Sequence, residues 1–108
     1  MKKLLLGMAV LAALFLAAGV VRAQDVASGE KVFKAKCVSC HGPDGKGDTA
    51  AGKATKTRDL SSDEVKKESD ATWADIITKG KNKMPPYDKK ISDAEVKDVI
   101  AYMRTLIK

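Results

Sequence analysis

The sequence predicts an all-α domain of three to four helices, on three observations. Toward the C-terminus, Val96, Val99, Ile100, Met103, Leu106 and Ile107 recur at spacings of three and four, the repeat of one helix face. Serine–glutamate pairs with capping-box spacing stand at Ser61/Glu64 and Ser92/Glu95, just where helices need to start. No segment alternates apolar and polar residues with the period of two that a half-buried strand requires.

The elements follow in order. Residues 1–23 are expected to be a signal peptide outside the fold: Lys2 and Lys3 precede an unbroken apolar or glycine run, Leu4 to Val21. Val21-Arg22-Ala23 then puts short side chains at the two positions a signal peptidase reads, so cleavage after Ala23 leaves a single domain over 24–108. The alternative is a retained membrane anchor, because 18 such residues come close to spanning a bilayer. Val26 to Lys36 predicts the first helix, with Val26, Gly29, Val32 and Phe33 on one face and Glu30, Lys31 and Lys34 on the other. Gly42 to Gly47 predicts a turn-rich loop, and the small polar residues Asp48 to Arg58 an exposed connection of low order. Ser61 and Glu64 open a short helical turn. Ser69 and Asp70 cap a helix to Lys79 whose Trp73, Ile76 and Ile77 share a face, with Gly80 as its left-handed stop. Ser92 and Glu95 cap the last helix.

Between the first helix and the loop stands Cys37-Val-Ser-Cys40-His41, which holds both cysteines and the only histidine of the chain. Two thiols spaced to bond porphyrin vinyl groups, followed at once by an imidazole that can reach the iron, are the attachment pattern of a c-type haem. Three rival readings use the residues less completely. A dithiol redox motif follows a strand, and the residues before Cys37 are Lys-rich and helical. A structural zinc site takes about four ligands, and three are present. A disulfide leaves His41 without a task. Export supports the haem reading, since bacteria attach haem covalently outside the cytoplasm.

Removing Lys2, Lys3 and Arg22 leaves 17 basic residues against 14 acidic ones, a formal charge of +3. Two haem propionates bring this to about +1, so nucleic-acid binding is not indicated. A chain of 85 residues buries little apolar surface by itself, and the apoprotein is expected to fold poorly without its haem.

An iron held by His41 needs a second ligand, a water or a substrate on its other face. The domain has two methionines. Met103 belongs to the apolar stripe of the last helix, where packing explains it. Met84 interrupts the polar run Lys79-Gly80-Lys81-Asn82-Lys83 and precedes Pro85-Pro86, which exclude helix and stiffen the loop. Met84 is therefore the expected distal ligand, with lysines as alternatives that must first lose a proton. His41/Met84 ligation of iron closes both faces, which describes an electron carrier and not an enzyme. A subunit tethered in a respiratory complex and an open-iron haem enzyme or gas sensor are the competing functions.

Taken together, the chain resembles the small monohaem class I c-type cytochromes of bacteria over nearly the whole of 24–108. Gly29-Glu-Lys-Val-Phe33-Lys-Ala-Lys-Cys37 through Gly47 is similar to the family's first helix and attachment stretch, Met84-Pro85 to its methionine loop, and Asp98 through Leu106 to its last helix. The resemblance implies the cytochrome c fold around one haem, with Gly29 and Phe33 meeting Val99 and Tyr102. One departure concerns His41: many members carry a proline about ten residues further on whose carbonyl accepts the imidazole N–H, and Asp48 to Arg58 has none. Some acceptor is still expected. Arg58 and Trp73 are candidates by type for the propionates. Lys79, Lys81, Lys83, Lys89 and Lys90 surround Met84 against one acid, Asp88, which points to redox partner proteins with acidic docking surfaces. A periplasmic monomer is expected.

Overall fold

The computed structural model describes residues 23–108; apart from Ala23, the expected targeting segment lies outside the described residues. Those residues form six helices and no strand: α1 (Val26–Lys36), α2 (Val38–His41), α3 (Ala50–Thr55), α4 (Asp63–Lys66), α5 (Asp70–Lys79) and α6 (Asp93–Leu106). Helices α1 and α5 have the bounds, and α5 and α6 the serine caps, that the sequence suggests, while the Asp25 cap of α1 was not foreseen. Asp25, Ser69 and Ser92 each accept a backbone N–H of the first turn, and Ser92 with Glu95 forms a full capping box.

The count exceeds the expected three to four because short helices form where loop was expected. Residues 48–58 are not a connection of low order. Thr49 caps α3 by accepting from Gly52 N at 2.8 Å, and its hydroxyl donates to the Ser39 carbonyl at 2.7 Å. A Cβ on Gly52 would collide with the carbonyl oxygens of Cys40 and Gly47, so glycine is what lets α3 lie against α2. The cap of α4 also shifts by one residue. Ser62 accepts from Val65 N, while the Ser61 hydroxyl is taken by Asp59 at 2.6 Å. Gly80 has a φ of 79° with an extended ψ of 165°, so it ends α5 with a positive φ but not in the left-handed helical region expected.

Helices α1 and α6 cross in contact. At the crossing, a Cβ on Gly29 would overlap the Asp98 carbonyl and stand 2.9 Å from Val99 N. Phe33 and Tyr102 pack with ring centroids 5.4 Å apart, beside the fully buried Val99. Buried Asp98 accepts the Asp25 N–H at 2.8 Å, fastening the start of α1 to α6.

A second fastening runs through Arg104, which no sequence pattern marks. Its guanidinium carbon lies 3.7 Å from the Trp73 ring centroid. Its nitrogens reach Asp70 Oδ1 at 3.0 Å, the Lys66 carbonyl at 3.1 Å and the Glu68 carbonyl at 2.6 Å. One planar group thus closes the α4–α5 junction onto α6. Arg104→Ala is expected to lower stability by about 2–3 kcal/mol, combining charge-assisted bonds and cation–π contact on a partly exposed group. Arg104→Lys, lacking the planar fork, should recover less than half. Urea unfolding of the three proteins reads this, and coincident midpoints would refute it.

Candidate cofactor site

The last turn of α1 delivers the chain into the motif. Cys37 N bonds the Phe33 carbonyl at 2.9 Å, and His41 N bonds the Cys37 carbonyl at 3.0 Å. The single turn of α2 thereby gathers Cys37, Cys40 and His41 onto one cavity. Met84 comes to it from a different segment. Lys81 and Met84 exchange backbone bonds of 3.1 and 3.0 Å around a tight turn in which Asn82 takes a φ of 54°, which asparagine tolerates better than most residues. Tyr87 N then bonds the Ile77 carbonyl at 2.9 Å, returning the loop to α5. Pro85 and Pro86 between these bonds have no N–H to leave unsatisfied.

All four residues singled out from the sequence line this cavity, which is open to solvent on one side. Its apolar lining includes Leu60, Trp73, Ile77, Ile91 and Met103, all buried. Met103 therefore serves both the core and the cavity. Trp73 lines it as a core ring whose Nε1 donates to the Val65 carbonyl at 3.3 Å. Arg58 also lines it, already held by two 3.0 Å bonds to Glu68, whose carboxyl this pairing keeps below its usual range. The sequence missed Leu60, Ile91 and Tyr87 as lining residues. Leu60 and Ile91 are single apolar residues in polar stretches, the same signal that identified Met84.

Burial pushes the Cys37 thiol up to about 11; neighbouring Cys40 adds to this and Lys36 opposes it. Dithiol exchange needs a thiol with a depressed pKa, so this environment does not suit it. Burial, and secondarily the Arg58 charge, holds His41 below its ordinary value, which favours the neutral imidazole that binds metals. Buried His41 Nδ1 has no hydrogen-bond partner among the described residues, so the acceptor expected for it is not found there. The residues after the motif are wound into α3, where carbonyls accept within the helix. An unsatisfied buried nitrogen costs about 1–3 kcal/mol, which argues that the ring is kept for its chemistry. Among the described residues, no three His, Cys, Asp or Glu side chains gather to hold a metal ion on their own. Two thiols, a neutral imidazole and a thioether around a large apolar cavity fit a haem.

The charge around the opening also differs from the sequence picture. Lys79 pairs with Asp75, and Lys90 lies over the Tyr87 ring. The cavity is instead edged by Lys36, Lys56, Lys81 and Lys83, with Arg58, and no acidic residue lines it.

Comparison with known proteins gives the family of the chain. The family described as "Cytochrome C oxidase, cbb3-type, subunit III" matches residues 24–103. Cytochrome c6 of Limnospira maxima is 36% identical over 81 residues, covering 73% of this chain and 90% of the relative. Cytochrome c6 of a Picosynechococcus strain is 34% identical, covering 95% and 92%. The solved structure of the KustC0563 c-type cytochrome superposes with a TM-score of 0.68 at 30% identity, covering 74% of this chain and 98% of that one. A family model over residues 24–103, relatives more than 30% identical and a matching fold make this chain a member of the small monohaem class I c-type cytochromes, which carry covalent haem c and transfer single electrons.

Proposed function

We propose that the protein is an exported, monomeric electron carrier in which Cys37 and Cys40 anchor the haem, and His41 and Met84 are the proximal and distal iron ligands. The haem, when bound, supplies a one-electron iron couple. The chain's own residues do the rest. Cys37 and Cys40 would fix the group covalently, Leu60, Ile77 and Ile91 exclude water, and a Met84 thioether joining the His41 imidazole as ligand would favour the reduced state. With both ligands in place no position is open to a substrate, so the protein carries electrons and is not a catalyst. The observation that carries this reading is the convergence of Cys37, Cys40, His41 and Met84 on one apolar cavity. An optical spectrum of the oxidised holoprotein tests it: the weak long-wavelength sulfur-to-iron band is expected, and its absence rules Met84 out.

Removal of residues 1–23 and delivery to the periplasm complete the proposal. No helix among the described residues is long and apolar enough to cross a membrane. The matching family's description favours one other reading, a subunit retained in an oxidase complex. The mass of the mature protein decides between them, since an intact N-terminal segment supports the subunit.

The redox partners are proposed to present acidic surfaces, because four lysines edge the cavity without an acid. Such a face steers encounter, and the second-order electron-transfer rate should fall roughly tenfold between low and high salt. A rate that holds steady or rises with salt would exclude acidic docking.

A further inference from the structure

We propose that Tyr87 is a positioning residue, the pin that holds the Met84 loop closed over the cavity; this rests on Met84 being the distal ligand. Tyr87 stands three residues after Met84, half-buried, with its ring on the cavity wall. Its hydroxyl donates to the Lys36 carbonyl at 3.2 Å, a solvent-exposed bond across 51 residues of chain. Lys36 is the last residue of α1 and directly precedes Cys37. The bond therefore ties the segment that presents the thioether to the segment that presents the thiols. Main-chain bonds at Tyr87 fix its other side: its N–H reaches Ile77, and its carbonyl accepts from Lys90 and Ile91 at 3.0 and 3.1 Å. The Tyr87 backbone is thus held by three main-chain bonds, and the hydroxyl ties it across the cavity to α1. A weaker tie exists at the other flank, where exposed Lys83 Nζ approaches the Ala54 carbonyl at 3.4 Å.

The pin acts on a population. An external ligand can reach the iron only when Met84 has moved away, so its apparent affinity is its intrinsic affinity scaled by the open fraction. Tyr87→Phe keeps the ring and its packing and removes only the hydroxyl. The loss of one such bond should raise the open fraction, and with it the association constant for imidazole, roughly fivefold. Lys83→Ala should change it less than twofold, since its contact is longer and held by a flexible, unpacked side chain.

The experiment is imidazole titration of the oxidised holoprotein, followed by its visible spectrum, for wild type, Tyr87→Phe, Lys83→Ala, Met84→Ala and Leu106→Ala. Leu106 packs against the core away from the cavity and reports general destabilisation. The proposal stands if Tyr87→Phe binds imidazole about fivefold more tightly than both wild type and Leu106→Ala. It is overturned if Tyr87→Phe matches wild type, or if Leu106→Ala shifts equally. Met84→Ala separates the two levels. If it too binds no more tightly than wild type, Met84 is not the ligand; if it binds far more tightly while Tyr87→Phe does not, only the pin is lost.

Discussion

Gly29→Ala should destabilise the holoprotein by roughly 3 kcal/mol or more, enough to remove much of the stability a small domain has. The expected sign runs against helix propensity. Gly29 lies inside α1, where alanine is normally favoured over glycine by about 1 kcal/mol. Here the added carbon meets main chain, the Asp98 carbonyl and Val99 N of α6. A side chain can rotate away from a new methyl group, whereas a helical carbonyl moves only with its helix. Relief therefore requires α1 and α6 to separate, which loosens Phe33 from Tyr102 and lengthens the Asp25 to Asp98 bond. Since α1 leads into Cys37, the damage should extend to the cavity as weaker haem retention during maturation. Denaturant unfolding and the haem-to-protein absorbance ratio measure both effects. A variant as stable as wild type would show that the crossing has slack that these contacts do not reveal.

How legible each part was depends on where its cause lies. Helix α6 was legible because its apolar repeat is written in one continuous segment, and its capping box is local. Cys37-Val-Ser-Cys40-His41 was legible as a candidate because covalent haem attachment would require that spacing whatever the fold. Met84 stood out because a thioether among lysines has no local reason to be apolar. Helix α3 was not legible, since its residues have no apolar period. What holds it is a threonine reaching back ten residues and a glycine packed against a carbonyl of the motif. Arg104 and Tyr87 were invisible for a related reason. Their partners are largely main-chain carbonyls, which every residue possesses, so no pairing of side-chain types could announce them. The lysines show the converse failure: counting charges along the chain grouped Lys79, Lys89 and Lys90 with Met84, but Lys36 and Lys56 arrive from other segments to edge the cavity.

Met84→Ala should have the largest functional consequence of any single change outside the attachment motif. The midpoint potential is expected to drop by on the order of 0.1 V or more, within the roughly 0.8 V range that axial ligands command. The direction follows from ligand chemistry. A thioether is a soft, weak donor that favours the lower charge of the reduced state, and water or a lysine nitrogen taking its place favours the oxidised state. Stability should fall much less than after Gly29→Ala, because Met84 is only partly buried and its loop remains fixed by the Lys81–Met84 backbone pair and the return to Ile77. This separation of potential from stability distinguishes a ligand from a packing residue. Met103→Leu provides the contrast: Met103 is 5% exposed and lines the same cavity, but leucine preserves its bulk, so potential should change little. Potentiometric titration of the two variants decides the matter. A Met84→Ala protein with the wild-type potential, or a Met103→Leu protein with the larger drop, would transfer the distal role away from the loop and remove the basis for a closed, six-coordinate carrier.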